Sequence, residues 1–209
     1  MNLEPLYGLR LRTPRLELRL PDERELVGLY EAAERGIHRP DVMPFGAAWT
    51  DSLERESFLE FHRAALADWD PASWDLNLVT FLDRAPIGTQ AIHRRAANPR
   101  ELGTGSWIEK AHQGNGFGTE QRAAVVELAF RALRAEAVTS GAIATNASSR
   151  RVSEKLGYRF THEDTVSPRG EPVRHLNFRL ERSDWRCPIS VEIEGADACL
   201  PLLGLTESP

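Results

Sequence analysis

Lysine, cysteine and long apolar runs are the scarce features of this chain of 209 residues. Only Lys110 and Lys155 are lysines among its 26 basic residues. So strong an arginine bias reads as genome composition rather than as arginine chemistry. The net charge of −5 offers no basic face, so no nucleic-acid partner is expected. The two cysteines, Cys187 and Cys199, make neither a disulfide framework nor a CxxC site, which points to a reducing cytoplasm. No stretch approaches the ~18 apolar residues of a membrane span. Met-Asn-Leu-Glu-Pro at the start lacks a basic region followed by an apolar run. A cytoplasmic location with no membrane partner is therefore expected. The six histidines show no ligand spacing, and no metal is expected.

What is present suits a single core: 41% of residues are hydrophobic and 27% charged. One domain is expected over 1–186, followed by a tail over 187–209 with one extra strand at Ile189–Glu194. Leu9–Leu20 alternates apolar with charged residues and reads as a strand. Asp22 is placed to cap a helix to about Ala33. A second helix is expected from Asp51 to about Trp69. Asp51 and Glu54 have capping-box spacing there, and Leu53, Phe58, Phe61 and Leu66 share the apolar face. Leu76–Leu82 and Ile87–His93 read as a hairpin, and Gly103–Glu109 as the next strand. A helix over Thr119–Leu133, a strand over Ala137–Ala144 and a short helix closing at Gly157 follow. Tyr158–Val166 and Val173–Leu180 form a last hairpin. Helices and strands mixed in this way indicate an α+β fold. The tail strand is expected on a sheet edge or in a homodimer.

The chain is organised around Gln113-Gly114-Asn115-Gly116-Phe117-Gly118-Thr119, set between a strand and a helix. Glycines let backbone N–H groups turn inward with no Cβ in the way. The helix adds unpaired N–H groups and the positive end of its dipole. The result is an anion site suited to phosphate or pyrophosphate. A P-loop needs a lysine and then Ser/Thr after the glycines, a pair absent here. A dinucleotide site needs G-x-G-x-x-G, whereas the spacing is G-x-G-x-G, and Glu136 precedes the next strand instead of ending it. Upstream, the loop Gly36–Thr50 holds Met43, Phe45 and Trp49. Such a loop either packs over the core edge or walls a substrate pocket.

Three motifs resemble the GNAT superfamily of acyl-CoA-dependent N-acyltransferases. Gln113, Gly116 and Gly118 fill the pattern Gln/Arg-x-x-Gly-x-Gly/Ala. Asn146, Ser149 and Leu156-Gly157-Tyr158 fill a second. Thr13-Pro14-Arg15-Leu16-Glu17-Leu18-Arg19 is similar to the opening of the branch that acetylates ribosomal-protein N-termini and small amines. The likeness runs from about Leu9 to Trp185. The Gly36–Thr50 loop and the tail also resemble a narrower bacterial group for which succinyl-CoA has been proposed as donor. The resemblance implies a central mixed, mostly antiparallel sheet, splayed at the acyl-CoA site and flanked by about four helices.

The resemblance also implies roles. The amides of Gln113, Gly114, Asn115, Gly116, Phe117, Gly118 and Thr119 would hold the pyrophosphate of acetyl-CoA or succinyl-CoA. Arg122, Arg150 and Arg151 are candidates for the outer phosphates, against a bland role as surface arginines. Amides of Ser106, Trp107 and Ile108 would line the pantetheine arm, and one of them would polarise the thioester. Trp107 is equally a core aromatic. Asn146 would bond the pantetheine amide, or only cap its helix. Ser149 would hydrogen-bond the leaving sulfur, or only cap. Ser153 stands where many members carry a tyrosine acid. An amine, from a small molecule or a protein N-terminus, attacks the thioester directly. His38 and Glu109 are candidate bases, beside a water chain. His38, Met43, Phe45 and Trp49 are candidate acceptor-binding residues. A succinyl donor would need a cation, for which His38, Arg39, Arg94 and Arg95 are candidates. A non-catalytic acyl-CoA-binding sensor or scaffold is the rival reading.

Overall fold

A computed structural model describes residues 1–205. The alternating segment near the start is two strands, β1 (Arg10–Arg12) and β2 (Leu16–Arg19), not the single strand expected over Leu9–Leu20. They pair antiparallel around Thr13-Pro14, where Leu16 N–H donates to Thr13 Oγ1 at 2.9 Å. The five-residue α1 (Glu4–Gly8) precedes them. Next, α2 (Glu23–Glu34) starts on a full capping box, in which Asp22 and Glu25 bond each other's backbone. The next helix, α3 (Arg55–Ala67), begins four residues later than expected and has no side-chain cap. Asp51 cannot cap it, because Arg169 holds that carboxylate with two bonds of 2.7 Å. Phe58 and Leu59 form the buried face of α3, whereas Phe61, expected inward, is 63% exposed.

The long strands β3 (Trp74–Leu82), β4 (Ala85–Arg94) and β5 (Glu101–Ile108) form a meander. α4 (Phe117–Glu127) follows and ends in a π turn over Leu128–Ala132, so the helical run expected to Leu133 is not uniform. β6 (Ala137–Ile143), α5 (Ala147–Lys155), β7 (Arg159–Val166) and β8 (Val173–Glu181) come next. The tail adds β9 (Glu192–Glu194) and the four-residue α6 (Ala196–Cys199). Among the described residues the six α-helices exceed the four expected because α1 and α6 are single turns.

One sheet runs β7-β8-β6-β5-β4-β3-β2-β1-β9. Every neighbouring pair is antiparallel except β5 and β6. The tail strand pairs with β1 of its own chain, Leu11 opposite Ile193, so that edge of β1 is filled from within. Val191, Cys199, Leu202 and Leu203 sink into the main core. The Leu202 and Leu203 carbonyls accept the indole N–H groups of the stacked Trp69 and Trp74. Among the described residues, no helix is long and apolar enough to cross a membrane.

The two faces of the sheet differ. Leu76 and Leu78 face the main core, which α4 covers, and Thr80 meets Gln121 of α4. Val79 and Phe81 face a smaller cluster with Leu26 and Leu29 of α2 and Phe58 and Leu59 of α3. Alternation carries this division along every strand. It puts Ser106 and Ser140 on the α4 face, and Gly105, Trp107 and Gly141 on the other.

Candidate active site

The sheet opens where the one parallel ladder stops. β5 pairs with β6 only over Glu101–Thr104 and Ala137–Ser140. Beyond that point β5 stays with β4 to Ile108, and β6 stays with β8 to Ile143. The strands therefore fork at Gly105 and Gly141, with Ser106, Trp107 and Ile108 along one prong.

The glycine loop lies at the end of that prong. Gly114 and Gly116 adopt φ of +80° and +85°, a region that favours glycine. The N–H groups of Gly114, Asn115, Gly116, Phe117 and Gly118 have no acceptor among the described residues. They lie at the start of α4, where the helix dipole favours negative charge. The Gln113 side chain is a brace: its Nε2 donates to Ile37 O and Ile108 O, both at 2.7 Å. Asn115 Nδ2 bonds His112 O and Gln113 O in the same supporting manner.

Arg15 belongs to this site, although sequence reasoning gave it no role. Its guanidinium bonds the Glu120 carboxylate at 2.5 Å and Asn115 O at 3.1 Å, and it lies 4.5 Å from the Phe117 ring centroid. Thr13 Oγ1 donates to the same carboxylate at 2.6 Å. The opening motif thus clamps the first turn of α4 from 105 residues away in sequence. Its spacing alone could signal only a strand.

Arg122, a candidate for outer phosphates, lies instead beneath the fork, 3% exposed. Its nitrogens donate to Ser140 Oγ at 2.7 Å, Ser106 Oγ at 3.1 Å and Gln90 Oε1 at 3.3 Å. No carboxylate pairs with it among the described residues. Burial pushes this guanidinium below its usual range and pushes the neighbouring Tyr158 phenol up. Arg150 and Arg151 remain on α5, beside the loop: Val152 Cγ2 is 3.8 Å from where a Gly118 Cβ would stand. At the start of α5, Asn146 Oδ1 accepts from Ser149 N–H at 3.1 Å, the cap geometry. Ser149 is half-buried, whereas Ser153 is fully buried with an unpartnered hydroxyl.

Comparison with known proteins fits this arrangement. The sequence model of the acetyltransferase (GNAT) domain matches residues 15–159. The chain belongs to the GNAT acetyltransferase family. Mycobacterium smegmatis RimJ in complex with CoA-disulfide superposes with a TM-score of 0.69 at 19% identity, covering 94% of this chain and 95% of that one. RimL, a ribosomal alpha-N-protein acetyltransferase in complex with coenzyme A, gives 0.66 at 12%, covering 81% and 95%. An acetyltransferase (GNAT family) from Bacillus anthracis gives 0.68 at 15%, covering 83% and 99%. At these identities the likeness is one of fold. The residues of this GNAT protein fit coenzyme A: the five free N–H groups suit a pyrophosphate, and nothing lies within 4 Å of a Cβ built at Gly114.

The loop over residues 36–51 crosses the face opposite α4. Phe45 and Trp49 are 5.3 Å apart, and Trp49 is 6.1 Å from Trp107 on the fork. Met43 is half-buried but joins neither hydrophobic cluster. His38 is held at both nitrogens, by Arg39 O at 2.8 Å and Thr50 Oγ1 at 2.7 Å. Glu109 sits at the end of the β5 prong, 4% exposed, and accepts from Arg35 at 2.6 and 3.0 Å. That guanidinium holds its carboxyl below the usual carboxylate range, which makes it a weak base. The cations nominated for a succinyl carboxylate are also engaged. Arg39 pairs with Asp41, Arg95 with Asp75, and Arg94 donates to Leu203 O.

Proposed function

We propose that this GNAT protein transfers an acetyl or succinyl group from coenzyme A to a primary amine, supplied by a small molecule or a protein N-terminus. The observation that carries the reading is the fork ending in a glycine loop with five free N–H groups. Bound coenzyme A supplies the activated thioester. The amides of 113–119 hold its pyrophosphate, and Arg150 and Arg151 reach the outer phosphates. Amides of Ser106, Trp107 and Ile108 line the arm, with Asn146 facing them. Ser149 hydrogen-bonds the leaving sulfur. Ser153, kept in reserve as a cofactor contact, would need α5 to shift. Met43, Phe45, Trp49 and His38 wall the acceptor side.

For the donor, Arg122 supports the succinyl reading better than the loop cations do. It is a guanidinium at the fork with only neutral partners, and a buried charge left so favours an anionic ligand. The rival reading, a non-catalytic acyl-CoA sensor, is supported by Ser153, a hydroxyl where many members carry a tyrosine. Thermal shift with CoA, acetyl-CoA, succinyl-CoA and NADH, followed by thiol release with an amine panel, tests all three. Stabilisation by CoA species with thiol release is expected. Stabilisation without release favours the sensor, and a shift with NADH alone removes the acyltransferase reading.

A further inference from the structure

On the acceptor side of the fork, β8 places His175 between two neighbours. Asp164 stands directly opposite it on β7, and the His175 Nδ1 lies 2.9 Å from the Asp164 carboxylate. The other edge of the ring lies over Gly141 of β6, where an added Cβ would overlap Cε1 and Nε2. Gly141 is the first β6 residue beyond the last parallel pair, so the imidazole reaches the fork itself. A carboxylate only accepts hydrogen bonds, so Nδ1 is the donor, and in the neutral imidazole Nε2 carries the lone pair. Nε2 has no hydrogen-bond partner among the described residues. The titratable groups beside the ring are Asp164 and, next to that carboxylate, His162. Next to the ring, β6 presents Gly141 and Ile143 on this face.

The other candidates are worse placed. Both nitrogens of His38 are engaged, and Glu109 is bound to Arg35. His93 covers Gly103, within the paired part of the ladder below the fork. We propose that His175, oriented by Asp164, is the base that takes the proton from the acceptor amine. This rests on the transfer reading above. The amine nitrogen bonds to the thioester carbonyl carbon, and the C–S bond breaks with its electron pair on sulfur. The amine proton passes to Nε2 and then to water, while sulfur takes a proton from water. Gly141 is part of the device, because any side chain there would displace the ring.

The test compares wild type with His175→Gln, Asp164→Asn and Gly141→Ala. CoA-induced thermal shifts are expected to be unchanged. In His175→Gln, kcat is expected to fall about 100-fold or more, the limb of the pH profile that rises with imidazole deprotonation should vanish, and added imidazole should restore part of the rate. Gly141→Ala should lose rate although it removes no functional group. A His175→Gln rate within about threefold of wild type overturns the proposal, as does a loss with an unchanged pH profile and no imidazole rescue. If wild type binds CoA species but releases no thiol, the transfer reading has failed. His175 is then judged by its Cε1 proton resonance on adding a primary amine to CoA-loaded protein. Movement of that resonance supports the placement of His175 beside the amine, and no movement overturns it.

Discussion

Arg35, just past the end of α2, closes on the buried Glu109 carboxylate with two bonds of 2.6 and 3.0 Å. The contact joins the acceptor-side helix to the end of the β5 prong. Because the folded Glu109 pKa is depressed, its stabilisation is present above the unfolded value and is lost as pH falls through the folded one. The window therefore lies below about pH 4.3. Wild type should lose Tm there more steeply than Glu109→Gln, as read by thermal melts between neutral and strongly acid pH. Arg35→Ala leaves a buried carboxylate without its partner and should cost about 1.5–3 kcal/mol. If the pH profile of activity shifts in Glu109→Gln while its melts do not, Glu109 is a base after all.

Gly116 combines φ of +85° with a position at the mouth of the N–H cradle. Gly116→Val strains the backbone by about 1–3 kcal/mol and sets a branched side chain against Arg15, whose Nη2 lies 3.5 Å from an added Cβ. Ligand at ~100 times Kd adds about 2.7 kcal/mol, or a rise of roughly 5–10 °C in a domain of this size. Gly116→Val should melt lower and lose that rise. A variant that melts lower yet keeps the full CoA-induced shift would remove the glycine loop from the cofactor site.

Much of the fold was legible because its signals are local. Alternation placed the strands, and three glycines between strand and helix marked the loop whose N–H groups have no acceptor among the described residues. The split at Thr13-Pro14 was also written in the chain: Leu9 and Leu11 are buried, then Leu16, Leu18 and Leu20, a change of phase that one unbroken strand cannot accommodate. What local reading could not reach was long-range pairing. Asp51 has the spacing of a cap, but Arg169, 118 residues away, takes its carboxylate. Arg122 has the look of a surface arginine on a helix and is buried by the fork above it. Glu109 and His38 read as bases from residue type and position, and local reading could not show the partners, Arg35 and Thr50, that hold them. His175 had no local mark, because its ring acquires meaning only when β8 pairs between β6 and β7.

Arg122 gives a test of donor choice that is separate from binding as such. Arg122→Met keeps an unbranched apolar stem but removes the guanidinium and its charge from beneath Ser106 and Ser140. If this guanidinium meets the acyl carboxylate, one charge-assisted bond of about 1.5–3 kcal/mol is lost for succinyl-CoA only. The ratio of kcat/KM for succinyl over acetyl donor should then fall about 10- to 100-fold. An equal fall for both donors would make Arg122 a brace of the fork.

The segment 36–51 is tied down on both sides of the fork. Lys110 N–H donates to Gly36 O at 2.9 Å, and Gln113 Nε2 to Ile37 O at 2.7 Å, on the β5 side. Asn146 Nδ2 reaches Pro44 O at 3.5 Å on the α5 side. Arg169, in the β7–β8 turn, bonds Asp51 twice at 2.7 Å and Pro40 O at 3.0 Å. Because the Arg169–Asp51 pair is exposed, it should contribute little to global stability and be weakened by salt. Its effect should fall on the acceptor. Arg169→Ala should melt close to wild type and keep its CoA-induced shift, while KM for the amine rises several-fold. Added salt should raise the wild-type KM toward that of the variant and leave the variant nearly unmoved. An acceptor KM that ignores both the substitution and the salt would mean that this segment only packs over the edge of the core, and the acceptor would then have to enter the fork elsewhere.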